Sequence, residues 1–133
     1  MKLNPNCIKD ILIVLETVVT DAGTTYFFDS WEDLQKQGNL QKYPVNELAY
    51  HCQQIYLSGY LYQGALYTHG GMSFMDLTPD AHSFLSGLRT PAVFETVKKF
   101  INITGSASIS QMASVVTAAS AEFLHSFVES QLR

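Results

Sequence analysis

The stretch Pro44-Val45-Asn46-Glu47-Leu48-Ala49-Tyr50-His51-Cys52-Gln53-Gln54-Ile55-Tyr56-Leu57-Ser58-Gly59-Tyr60-Leu61 constrains this chain more than any other. Val45, Leu48, Cys52 and Ile55 recur at the helical period, with Ala49 and Tyr56 flanking, so one face is apolar and the other polar. Pro44 suits the first helical position, where its missing N–H would have had no partner. Gly59 suits the left-handed residue that ends a helix. The spacing predicts a helix over 44–58, a glycine stop and the opening of a strand.

Other segments fall around this one. Asn4-Pro5 is a cap followed by a proline, opening a helix over 5–19 with Ile8, Ile11, Leu12, Leu15 and Val18 or Val19 inward. Asp21 to Gly23 is a turn, and Thr24 to Phe28 is β-branched and aromatic, a short strand. Ser30 with Asp33 reads as a capping box for a short helix that carries Trp31 and Leu34 inward and stops near Gly38. Asn39 to Tyr43 is a polar connection. After Gly59, Tyr60–Tyr67 and Met72–Leu77 read as two strands joined by Thr68-His69-Gly70-Gly71. Thr78-Pro79 and Thr90-Pro91 repeat the cap-plus-proline start. The first opens a helix with Ala81, Phe84, Leu85 and Leu88 inward. The second opens one with Val93, Val97, Phe100 and Ile101 inward, ending at Gly105. From Ser106 to Gln131, Ile109, Met112, Ala113, Val116, Ala119, Phe123 and Phe127 follow a helical spacing.

Composition limits what this can be. A chain of 133 residues holds one domain with a core. Charged residues are 15% and hydrophobic ones 47%, so some apolar surface is expected to be covered by a partner. A net charge of −4 argues against general binding to nucleic acid or anionic membranes. Cys7 and Cys52 both fall on apolar helix faces and read as packed, reduced thiols, which fits a cytoplasmic protein. Met1-Lys2-Leu3 leads straight into an amphipathic helix, so no signal peptide is expected.

Helix, strand, helix, helix, hairpin is the order of a winged helix-turn-helix domain. Leu48, His51, Cys52, Ile55, Gly59 and Leu61 resemble the recognition helix and second strand of winged-helix regulators, with the pattern apolar-x-x-His-Leu-x-x-Leu-x-x-x-Gly-x-Leu. Leu77-Thr78-Pro79 with Phe84-Leu85 is similar to the L-T-P-x-G-x-x-F-L that follows the wing. Together with Asn4-Pro5, these residues look most like a family of short bacterial and prophage proteins catalogued as a domain of unknown function. Ala81 and Cys52 depart from the pattern, standing where glycine and leucine are usual. The expected fold is α+β and mainly helical: a winged-helix core with a two-stranded wing over 1–90, and a helical extension over 91–133.

The resemblance implies that Asn46, Glu47, Ala49, Tyr50, Gln53 and Gln54 line the exposed face of a recognition helix, with Tyr67 and His69 on the wing. Asn and Gln can read adenine edges, which keeps a DNA-binding regulator open. Affinity for DNA, however, comes largely from cations on phosphates, and from Tyr43 to Leu88 there is no lysine or arginine. A protein-interaction module of phage or mobile-element type is therefore the first expectation, and a sequence-specific regulator the alternative.

Catalysis has no signature here. There is no Cys-x-x-Cys or His-x-x-x-His spacing, nucleophile elbow, phosphate loop or dinucleotide fingerprint. His51 and Cys52 point about 100° apart on a helix, and the one pair of carboxylates, Glu32-Asp33, is adjacent in sequence. No metal or cofactor is expected. Phe100 to Ala121 carries no charge, yet Asn102, Thr104, Gly105, Ser106, Ser108, Ser110 and Gln111 make it too polar for lipid. Its strip of Ser114, Thr117, Ala118 and Ala121 would let another helix approach closely. Met112, Val116, Phe123 and Phe127 are expected at the interface of a homodimer, the alternative being a helix folded back across the first one.

Overall fold

A proline at the first position starts three of the helices, two of them behind a side-chain cap, and the computed structural model, which describes residues 1–132, shows how each start is used. Helix α1 (Pro5–Val18) begins where the Asn4 side chain accepts the N–H of Asn6 at 3.0 Å. It ends where the Tyr26 hydroxyl receives the N–H groups of Thr20 and Asp21 at 3.0 and 2.8 Å. Strand β1 (Tyr26–Phe28) follows, then α2 (Trp31–Gln35), whose first turn is closed by the Asp33 N–H on Ser30 Oγ. Leu34 is fully buried and Trp31 half-buried. The expected polar connection over 39–43 is instead a 3-10 helix (Leu40–Lys42) that buries Leu40 and Tyr43, with Gln35 Nε2 donating to the Tyr43 carbonyl. Leu40 and Tyr43 are buried where this short helix packs on α1 and α2.

Helix α3 (Val45–Leu57) starts one residue later than expected, since Pro44 is extended at ψ 149° and serves as the cap. Its end is a two-bond C-cap. Gly59, at φ 74°, donates to the Tyr56 carbonyl and Tyr60 donates to that of Ile55. Leu48, His51, Cys52 and Ile55 are buried, while Val45 is half-buried.

The two runs after Gly59 form one antiparallel ribbon that is broken midway. Strands β2 (Leu61–Tyr62) and β3 (Ala65–Leu66) pair with β5 (Asp76–Leu77) and β4 (Met72–Phe74), Leu61 opposite Leu77 and Leu66 opposite Met72. The register is the same on both sides of the break, so no residue is inserted. The ladder lapses at Gln63, whose φ of 51° is unusual for a residue with a side chain. Strand β1 lies along the far side of β4, Tyr26 opposite Phe74, giving a three-stranded sheet in the order β1-β4-β3. Gly71 lets the ribbon pass here, because a Cβ would lie 2.3 Å from the Phe28 carbonyl oxygen.

Helix α4 (Pro79–Arg89) buries Ala81, Phe84, Leu85 and Leu88 as expected, together with Gly87. Helix α5 (Pro91–Thr104) starts at the predicted proline, but the Thr90 side chain does not cap it; its hydroxyl donates back to the Ser86 carbonyl. Val93, Phe94 and Val97 are buried, and Phe100 and Ile101 only half so. Gly105, at φ 82°, ends α5. Helix α6 (Ile109–Leu132) opens with a reciprocal box. Ser108 Oγ accepts from Gln111 N–H at 3.1 Å, and Gln111 Oε1 accepts from Ser108 N–H at 2.8 Å.

The core lies around α1, which packs on α3, α4, β5 and the 3-10 helix. Ile8, Ile11, Leu12 and Leu15 are all fully buried. Helix α6 does not cross α1. It lies on α5 and α4, crossing α4 at Gly87, where an added Cβ would come within 2.1 Å of Val116 Cγ1. Ile109, Met112 and Val116 are thereby buried within the chain. The expectation that Met112 and Val116 face a second copy is corrected by this packing: the close approach is allowed by Gly87 on α4, not by the small residues of α6. Ser114, Thr117, Ala118 and Ala121 are exposed, as are Phe123 and Phe127. No helix among the described residues is long and apolar enough to cross a membrane.

Candidate macromolecule-contact face

The outward side of α3 is held in place by its inward side. His51 points into the core and joins two helices. Its Nδ1 lies 2.7 Å from the Glu47 carbonyl one turn back, and its Nε2 accepts the Asn4 N–H at 2.9 Å. The Asn4 N–H can only donate, so Nε2 must be the bare nitrogen and Nδ1 the protonated one. Burial pushes the His51 pKa below the usual histidine range, with the Glu47 carbonyl a smaller opposing effect. A neutral imidazole thus clasps the start of α1 to the middle of α3. Tyr50, next in sequence, stands edge-on to it, ring centroids 5.3 Å apart.

Asn46 and Gln53 are exposed on α3, and Glu47 and Tyr50 are half-buried at its rim. Gln54 differs from expectation. It is half-buried and lines a groove with Leu57, Ser108 and Ala113, so it faces the start of α6 rather than the open surface. On the hairpin, Tyr67 is half-buried and His69 exposed, their rings stacked 5.4 Å apart at 7°. Strand β3 touches α3, so the hairpin springs from the helix. Among the described residues no hydrogen bond or ring contact joins the helix group to the hairpin group. Sequence reasoning missed the exposed Leu57 and Tyr62, at 67% and 52%. Leu57 was legible, since it falls off the apolar period of α3; Tyr62 depended on the strand register.

Four lysines of the flanking helices are engaged with other side chains. Lys42 Nζ is 3.2 Å from Asp10 Oδ2, the carboxylate that also accepts the Tyr43 hydroxyl at 2.7 Å. Lys36 lies 3.8 Å from Asp33. Lys9 sits 4.4 Å above the Phe94 ring, with Lys98 on the same ring at 5.0 Å. The Tyr43 hydroxyl, buried and donating to Asp10, is held well above the usual phenol range. Cys7 and Cys52 are free and buried; burial pushes the Cys7 thiol up to about 12 and Cys52 higher still, so neither supplies thiolate at neutral pH. Among the described residues no three His, Cys, Asp or Glu side chains come together as a metal would need.

No curated protein and no solved structure matches the chain. Residues 2–107, from the residue before Leu3 to the connection ahead of α6, match the model of a family of hypothetical proteins, DUF2513. Because that match covers most of its length, the chain belongs to the DUF2513 family.

Proposed function

We infer that this chain is a non-catalytic, cytoplasmic winged-helix protein that works by binding a macromolecule, with protein favoured over DNA. The order α1, β1, α2, α3 and ribbon, with β1 as third strand beside the ribbon, supports the winged-helix reading. In it α3 is the recognition helix and the Tyr67–Gly71 end of the ribbon is the wing. The observation that carries the choice of partner is charge. Neither α3 nor the ribbon holds a lysine or arginine, and the neighbouring Lys36 and Lys42 each face a carboxylate. A duplex reader needs cations on phosphates, whereas a surface of Tyr50, Tyr67, His69 and short polar side chains is of the kind protein interfaces use. The resemblance to prophage proteins supports a partner that belongs to a mobile element or to the host machinery it engages.

A photoreactive amino acid at Gln53 tests this in living cells. The expected products are protein adducts, lost when Tyr50 is changed to Ala. Adducts to DNA, or discrete palindromic genomic sites abolished by Tyr50→Ala with Gln53→Ala, would establish the regulator instead.

A further inference from the structure

Helix α6 is too long for what it packs on. It forms a hairpin with α5, and α5 has 14 residues against its 24. Ten residues therefore overshoot, about 15 Å at 1.5 Å per residue. Beyond Val116 no described residue of α6 is buried. Phe123, Leu124, Phe127, Val128 and Leu132 stand 45, 59, 53, 52 and 81% exposed. These five present on the order of 500 Å² of apolar surface in one copy, from the size of such side chains. Two copies together reach about the 1,000 Å² at which a specific interface begins.

The sizes along the helix say which occupant fits. Phe123, in a groove with Ala92 and Val93, prolongs the stripe of Met112 and Val116, and Phe127 carries it one turn further. A second line runs beside it: Ser114, Thr117, Ala121, Leu124 and Val128, spaced three and four residues apart, the period of a coiled-coil seam. Its first half is small and its second half large. Glu122 and Glu129 each follow a seam residue directly and point away from the seam. On the α4 side the small half opens into a groove of about 500 Å³ walled by Tyr60, Phe84, Ala113 and Ser120.

We propose that this chain pairs with a second copy of itself through antiparallel α6 helices about a two-fold axis between Glu122 and Phe123. Ala121 then lies opposite the partner's Leu124 and Thr117 opposite the partner's Val128, so each large half fills the other's small half. The overhanging Phe127 of each copy enters the groove beside the other's α4. A parallel pair would set large against large and leave the small halves empty. The pairing stands whether or not α3 binds a protein.

Light scattering on the full chain at tens of micromolar should give a dimer. Leu124→Glu and, separately, Thr117→Glu should weaken it about a hundredfold or more, because each puts an unpaired charge in the seam. Both residues are exposed in the single chain, so the melting of the monomer should be unchanged. Spin labels at Glu122→Cys should lie close across the axis. Those at Glu129→Cys should be displaced from each other by about 20 Å along the helices, from the same rise per residue. A monomer at these concentrations, a dimer indifferent to both glutamates, or equal distances from the two labels would each overturn the proposal.

Discussion

Helices α1 and α6 are alike in sequence and unlike in place. Each carries an apolar stripe at the helical period, opened by a cap side chain. Helix α1 buries six residues in fourteen, with α3, α4 and β5 around it. Helix α6 buries three in twenty-four, all within its first eight residues, and packs mainly on α5 and α4. An apolar stripe thus states what a helix can bury, while the length of its neighbours decides how much it does bury. The same stripe is core at Val116 and surface at Phe127.

The sharpest way to break this comparison is to truncate both helices alike. Leu15→Ala, in a site with no exposure, should cost about 3 kcal/mol in chemical denaturation. Phe127→Ala in dilute solution should stay within about 0.5 kcal/mol. Equal costs would mean that the distal half of α6 is packed in the single chain.

A smaller effect sharpens where α6 stops being core. Gly87→Ala drives a methyl group into Val116, and overpacking of this kind costs about 1–3 kcal/mol. Val116→Ala made with it should recover part of that loss, giving a favourable coupling in the double-mutant cycle. Independent, additive costs would show that α6 does not cross α4 at this glycine.

At the other pole of the comparison, the α1–α3 clasp should depend on pH. His51 is neutral in the fold, with its pKa below the unfolded value of about 6.5. Between those two values the unfolded chain binds the extra proton, so stability rises with pH across that window. The contribution is complete above about pH 6.5 and is lost as pH falls toward the folded pKa. Urea titrations at pH 7.5 and 5.5 should show an acid loss that shrinks in His51→Phe. That variant should also be weaker at pH 7.5 by about 1–3 kcal/mol, since the Asn4 N–H is left without its acceptor. An unchanged pH slope in the variant would count against the clasp.

The smallest effect belongs to the end of α3. Gly59→Ala has room, with nothing within 4 Å of its Cβ, but must hold a φ of 74°. About 1 kcal/mol is expected from that conformation alone, read as a shift in the thermal midpoint. Gly105→Ala, equally open at φ 82°, should match it if backbone conformation is the whole cause.

Local chemistry was enough to place the α-helices, though not the 3-10 helix or the break in the ribbon. Asn4-Pro5, Thr78-Pro79, Thr90-Pro91, Gly59 and Gly105 each act within four residues, so the helices and the α+β class were legible from composition and spacing. The absence of cations over 43–88 was equally plain, and with it the character of the α3 face. What the tertiary structure alone decided are meetings between distant residues. The partner of His51 Nε2 is a backbone N–H 47 residues away, and no side-chain pattern announces a backbone donor. Leu40 and Tyr43 are buried by the packing of the 3-10 helix on α1 and α2. Gln54 was drawn toward α6, which its position on α3 could not foretell. Val116 went to α4 rather than to another chain because Gly87 admits it, and Met112 is buried within the same chain. A helical period fixes which residues share a face, but only the packed neighbours determine what that face meets.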